Sequence, residues 1–270
     1  MLGILGGYAL LDVLGEGAMG TVYGAVRESD GMAVALKVLR SELSADGESR
    51  RRFTHEARAL VALRHPNLVE SIELGEVDGT VYLALRHVEG APVSSLLAAG
   101  RRIEVADAVR IACGVGNGLA AMHRAGLVHR DVKPPNVIIA TDGTPTLVDL
   151  GLARAAHWTQ LTMTGLVVGT MDYLAPELVV GEQASPASDV YSLACTLYEM
   201  LCGEPPFRRP TIGETMKAQV EEQPPDPRPL RAELPEPLAF TLLRLLEKDP
   251  AERPTAAGAV RLLRASTLRA

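Results

Sequence analysis

Cysteine is scarce in this chain: only Cys113, Cys195 and Cys202 occur, and no two form a close CxxC pair. That spacing argues against a disulfide framework or a zinc site and suits a reducing cytosol. Long apolar runs are missing too. No stretch reaches the roughly 18 apolar residues a membrane span needs. The opening MLGILGG is short and lacks the basic start of a signal peptide. No membrane segment is expected in this chain and the expected location is cytoplasmic, an anchor in a longer parent protein staying open. Positive charge is also in short supply. The net charge is −6 and the arginines are scattered, so a nucleic-acid partner has no electrostatic support. Internal repeats and a low-complexity tail are absent.

What is present reads as an ordinary folded protein. The 270 residues are 47% apolar and 22% charged, enough for one large domain or two lobes around a cleft. The first third predicts short strands over 8–15, 21–26 and 32–39, separated by glycine or polar turns. Residues 48–63 have helical spacing, with Phe53, Ala57, Leu60 and Leu63 on one side, and His65-Pro66-Asn67 stops them. Strands over 69–73 and 80–85 follow. After Gly90 the pattern changes to a long buried helix over 105–125 and short strands over 137–140 and 146–148 around Asp142-Gly143. From 188 to 265 the chain is mostly helical, interrupted by Pro205-Pro206 and the proline-rich stretch 223–237, with Cys195 and Cys202 as core residues. The expected class is α+β. A small antiparallel β-rich lobe with one key helix (about 8–86) is joined through about 86–90 to a larger, mainly helical lobe (about 91–265).

Four segments carry chemistry. Gly15-Glu16-Gly17-Ala18-Met19-Gly20-Thr21-Val22 has the form GxGxxGxV. A glycine triplet alone is weak evidence, since turns often contain glycines. Here it lies between two strands, which argues against a dinucleotide fold and for a hairpin flap over phosphates. Val34-Ala35-Leu36-Lys37 puts a lysine in an apolar strand. A buried ammonium needs a partner, and Glu56 on the next helix is the candidate; a lysine snorkelling from a strand end is the plainer alternative. His129-Arg130-Asp131-Val132-Lys133-Pro134-Pro135-Asn136 is the strongest segment. An aspartate there can accept a hydroxyl proton, and an asparagine five residues later can bind a metal. Asp149-Leu150-Gly151 adds a second carboxylate, and magnesium prefers a few such oxygen ligands plus substrate oxygens. Any one of these could be a capped turn; all of them in this order is not a chance pattern.

In this order, with Ala175-Pro176-Glu177 after them, the motifs resemble the eukaryotic-like (Hanks-type) serine/threonine protein kinases, most closely the bacterial branch, over about residues 8–263. The resemblance implies a single catalytic domain over 1–270 with the two-lobed kinase fold. It implies transfer of the γ-phosphate of ATP, with Mg²⁺ or Mn²⁺, to Ser or Thr hydroxyls of protein substrates. Carried over residue by residue, Gly15, Gly17 and Gly20 would cover the phosphates. Leu14, Val22, Ala35, Leu85 as gatekeeper, Arg86, Val88 and Ile138 would hold the nucleotide. Lys37 would bind the α- and β-phosphates and pair with Glu56. Asp131 would be the catalytic base, Lys133 would contact the γ-phosphate, and Asn136 and Asp149 would hold metal. Lys133 and Thr170, the latter in Gly169-Thr170-Met171-Asp172-Tyr173-Leu174-Ala175-Pro176-Glu177, match the Ser/Thr members, in which Thr170 bonds the catalytic aspartate and helps shape the substrate groove. Glu177 and Arg253 would form the ion pair that fastens this segment. Asp189 would brace the 129–131 backbone, its plainer alternative being a helix N-terminal carboxylate. Thr162 and Thr164 are the expected autophosphorylation sites, where a phosphate could pair with Arg130. A homodimer for trans-autophosphorylation stays open, since no residue decides it.

Several positions depart from the family pattern. Leu150 replaces a phenylalanine, Pro135 a commoner Ser or Glu, and Ala194 a glycine; Arg86-His87-Val88 alters the hinge, and Ser71 stands where the family is apolar. The alternatives are a kinase-fold scaffold without transfer and a small-molecule kinase. The first usually loses the lysine or an aspartate kept here. The second lacks the 169–177 segment and its partner Arg253.

Overall fold

The computed structural model describes residues 1–17, 20–149 and 171–267. The chain falls into two compact units, Met1–Glu89 and Gly90–Ala270. The first is a six-stranded antiparallel sheet in the order β1-β2-β3-β4-β6-β5. Its strands are β1 (Gly3–Leu5), β2 (Tyr8–Gly17), β3 (Gly20–Arg27), β4 (Ala33–Leu39), β5 (Ser71–Val77) and β6 (Thr80–Arg86). Two helices, α1 (Ser41–Ala45) and α2 (Gly47–Ala62), interrupt the strand sequence between β4 and β5. Asp46 caps α2 by accepting the Ser49 N–H, and Phe53, Ala57 and Leu60 form its buried stripe. That face packs on β5.

The second unit opens with a small sheet, β7-β8-β9, from β7 (Gly90–Pro92), β8 (Val137–Ala140) and β9 (Pro145–Leu147). Its helices are α3 (Val93–Leu96), α4 (Val105–Arg124), α5 (Pro176–Val179), α6 (Pro186–Cys202), α7 (Ile212–Glu221), α8 (Glu236–Leu245) and α9 (Ala256–Thr267). The core is built on α4 and α6, which pack on each other and on α9. Helix α4 is long and apolar enough to cross a membrane by length and composition, which the run-length reading did not anticipate, but 67% of it is buried in this unit. In α6 every residue from Ser188 to Cys202 is buried, polar ones included. Gly203 ends it at φ +90°, a left-handed conformation that glycine tolerates best. All three cysteines are buried.

The expected strands and helices recur, with shifts. Strand β5 starts at Ser71 rather than 69, because Leu68 and Val69 are buried without joining the ladder. Strand β9 spans Pro145–Leu147, one residue earlier than expected, because the Val148 N–H turns to Asn136 O (2.8 Å).

Candidate active site

In the first unit, pairing register gathers the sequence-selected positions on one face of the sheet. Lys37 lies opposite Val22 on one side and Leu83 on the other, and Gly15 lies opposite Val22. Ala35, two residues from Lys37 and so on the same face, lies opposite Leu85, which in turn faces Ser71. Lys37 is half-buried in mid-strand, and Glu56 is half-buried on α2. Leu14 is exposed. Arg86, past the buried run of β6, gives its N–H to Glu70 O (2.9 Å) and its side chain to Glu70 Oε2 (2.6 Å). Val88 is half-buried in the segment that ends this unit.

The three glycines differ in why they are glycine. A Cβ on Gly20 would lie 1.9 Å from Val38 O, so the β3–β4 approach itself excludes a side chain. Among the described residues nothing lies within 4 Å of a Cβ at Gly15 and only Gly20 O does at Gly17, and neither glycine has a positive φ. Neither packing nor conformation demands glycine there. A bare backbone that another molecule can approach fits phosphate oxygens.

In the second unit, the loop from His129 to Asn136 is held by α6. Asp189 Oδ2 accepts the His129 N–H and Oδ1 the Arg130 N–H, both at 2.8 Å, while His123 Nε2 lies 2.8 Å from Oδ2. These bonds hold Arg130 at φ +67°, which costs a non-glycine residue about 1–2 kcal/mol. Asp149 is likewise at φ +53°. His129 is fully buried; its Nε2 donates to Val148 O (3.2 Å) and its Nδ1 accepts the Asp131 N–H (3.2 Å). Burial pushes its pKa down, against the pull of Asp189, Asp131 and Asp149. A neutral ring serves both bonds with one tautomer, so His129 ties the Asp131 backbone to the residue before Asp149.

Within the loop, Lys133 Nζ lies 3.1 Å from Asp131 Oδ2. Asn136 Nδ2 donates to the same oxygen (3.0 Å) and to Asp131 O (2.8 Å). With its amide nitrogen committed to Asp131, the oxygen of Asn136 is the atom suited to a cation. Ile138 follows in β8, half-buried and opposite Thr146. Among the described residues no group of three or more His, Cys, Asp or Glu could hold a metal. Asn136 and Asp149 would offer fewer protein oxygens than such a group, and Mg²⁺ commonly keeps water and phosphate oxygens beside a few protein ligands.

Past residue 170 the chain is fastened repeatedly. Glu177 and Arg253 form a bidentate buried pair (2.8 and 2.9 Å), and the Ser188 hydroxyl donates to Glu177 Oε1 (2.7 Å). Burial would raise the Glu177 pKa, but the Arg253 bonds and charge, with Ser188, bring it below the ordinary value. The Ser192 hydroxyl donates to Tyr173 O (2.8 Å), and Tyr173 OH to Glu199 Oε2 (2.5 Å). Arg208 takes Asp172 Oδ2 through two nitrogens (2.7 and 2.9 Å). Thus α6 supports both the 129–131 loop and the 171–177 segment. His129 was selected only as part of its loop and not for the role it plays here, and His123, Ser192, Glu199 and Gln219 were not among the selected site residues; for these four the signal available was polar side chains on helices with buried faces. Leu150, Thr162, Thr164 and Thr170 lie outside the described residues.

A family model described as "Protein kinase domain" matches residues 8–262. The chain is 39% identical over 253 residues to "Serine/threonine-protein kinase PknA" of Mycobacterium tuberculosis (strain ATCC 25177 / H37Ra), covering 92% of this chain and 58% of that protein. It is 36% identical over 255 residues to "Serine/threonine-protein kinase PknH" of Mycobacterium bovis, covering 94% and 43%. The chain thus spans roughly half the length of these curated relatives. The crystal structure of the Mycobacterium tuberculosis PknI kinase domain matches with a TM-score of 0.75 and 30% identity, over 97% of each chain.

Proposed function

Because the chain belongs to the protein kinase domain family, we propose that it is a serine/threonine protein kinase that moves the γ-phosphate of ATP to protein hydroxyls. The observation that carries this reading is the loop in which Lys133 and Asn136 both hold Asp131 Oδ2, at 3.1 and 3.0 Å. A carboxylate so oriented can accept the proton of a Ser or Thr hydroxyl as its oxygen bonds to phosphorus and the bond to the ADP oxygen breaks. Lys133 supplies positive charge beside that carboxylate, where it can also meet the transferring phosphoryl group. Lys37, Gly15, Gly17 and Gly20 would hold the phosphates, and Leu14, Val22, Ala35, Leu85, Arg86, Val88 and Ile138 the rest of the nucleotide, with Glu56 positioning Lys37. Bound at Asn136 and Asp149, Mg²⁺ or Mn²⁺ would neutralise phosphate charge. Thr170, with residues 171–177, would form the wall against which the substrate peptide lies. We further propose autophosphorylation at Thr162 and Thr164, in trans between two copies, and a cytoplasmic site of action.

The test is transfer from labelled ATP with Mg²⁺ or Mn²⁺, by the purified chain alone and with a generic basic protein, beside Asp131→Asn and Lys37→Met. Label on Ser or Thr that both variants abolish is the expected result. A folded chain that binds ATP and transfers nothing would overturn the reading in favour of a catalytically silent scaffold. Phosphopeptide mapping that finds only other residues would remove Thr162 and Thr164.

A further inference from the structure

The three carbonyls of the turn Met171–Tyr173 are all taken by side chains from neighbouring helices. Ser192 on α6 holds Tyr173 O (2.8 Å). Gln219 on α7, with no exposed surface, donates Nε2 to Asp172 O (2.9 Å) and Met171 O (3.3 Å). Gln219 is itself fixed at both ends. Its Oε1 accepts from Tyr191 OH (2.5 Å), which sets the amide orientation so that nitrogen faces the turn. Its main-chain oxygen accepts from Lys248 Nζ (2.6 Å). Lys248 lies 3.7 Å from the centre of the Phe207 ring and 3.4 Å from Tyr191 OH. A buried amide with its orientation fixed and both donors spent on two adjacent carbonyls sets backbone position more tightly than apolar packing does.

We propose that Gln219 is a positioning residue for peptide substrate: it fixes the Met171–Tyr173 backbone from beneath, and Lys248 holds Gln219 in place. The proposal rests on the reading of residues 170–177 as the wall for the substrate peptide. It separates Gln219 from the phosphate-transfer groups, so its loss acts on peptide engagement before it acts on nucleotide.

The experiment compares the unmodified chain with Gln219→Met and Lys248→Met. It uses steady-state phosphorylation of a synthetic Ser/Thr peptide that the unmodified chain phosphorylates, and amide hydrogen exchange of the whole chain. In Gln219→Met the KM for peptide is expected to rise about tenfold, the scale of one buried hydrogen bond. The KM for ATP should move less than about twofold by the same arithmetic, since no bond to nucleotide is lost. Amides of 172–174 should exchange at least about tenfold faster, while those in the middle of α6 keep their rate. Lys248→Met, changed at a part-exposed side chain, should show the same pattern more weakly, and it decides the matter if Gln219→Met does not fold. Equal losses for both substrates, or faster exchange spread through α6, would mean a merely structural role and overturn the proposal. An unmodified chain that transfers no phosphate defeats the kinase reading instead, and the exchange arm then decides whether Gln219 holds the turn.

Discussion

Replacing Arg253 by methionine tests the reasoning about the 171–177 segment most severely. The guanidinium has five N–H donors, and five contacts use them: Glu247 O, Lys248 O, Ala187 O and both oxygens of Glu177. Methionine keeps much of the apolar stem over the Tyr191 ring, which the guanidinium carbon approaches to 4.8 Å. It leaves the Glu177 carboxylate buried, with the Ser188 hydroxyl still donating to it. Removing one partner of a buried pair costs about 3–5 kcal/mol, because the remaining charge is uncompensated. For a unit of this size that is a fall in melting temperature on the order of 10 °C. Arg253→Lys should recover little, since a point charge cannot serve five spread acceptors. The double variant Arg253→Met with Glu177→Met should be more stable than Arg253→Met alone, as no charge is then left buried. Denaturant or thermal unfolding followed by far-UV circular dichroism measures all three against the unmodified chain. A loss below about 1 kcal/mol in Arg253→Met, the level of an exposed pair, would refute the argument.

Ser71 is fully buried and its hydroxyl has no hydrogen-bond partner among the described residues; Ser71→Ala should therefore raise stability by about 1 kcal/mol, and a loss in the unfolding midpoint would contradict it. Gly20→Ala should destabilise the first unit by about 1–3 kcal/mol or more, because its Cβ would meet the Val38 carbonyl. Gly15→Ala should leave unfolding within about 0.5 kcal/mol and show itself in weaker ATP binding by calorimetry; a Gly15→Ala chain that unfolds early would sink the distinction. His129 has a folded pKa below its unfolded value, so its contribution is fully present above about pH 6.5 and is lost as pH falls towards the folded value. Unfolding midpoints should begin to decline below about pH 6.5, and His129→Gln, which keeps a donor and an acceptor, should remove that early decline.

The parts of the fold that could be read in advance are those whose pattern is self-contained. The short β-rich runs of β2, β3, β4 and β6, set off by glycine or polar turns, and the Phe53–Ala57–Leu60 stripe of α2 need no distant partner to be recognised. By contrast β1 and β7 have only three residues each. They are strands because Gly3 finds Leu10 and Gly90 finds Ala140, which local sequence does not announce. The opening MLGILGG invited a question about secretion and turned out to supply a sheet edge. The strand expected over 69–73 begins two residues late for a related reason, since its first apolar residues report burial and not pairing.

The chemical loop was legible because its residues are neighbours in sequence as well as in space: Asp131, Lys133 and Asn136 touch within six positions. What supports the loop and the 171–177 segment was only partly legible, since the groups lie far apart along the chain. Asp189 meets His129 across 60 residues, and Gln219 meets Asp172 across 47. The clue lay in α6, whose residues are buried on all sides and which nonetheless carries Ser188, Ser192 and Glu199. At spacings of four and seven these three lie along one side of the helix. Polar groups at such positions must find partners or destabilise the fold. Here they find Glu177, Tyr173 O and Tyr173 OH, which all lie in the segment that follows residue 170. A polar stripe on a helix buried on all sides is thus a sign that some other segment must be fastened there. Which segment it is follows only from the fold.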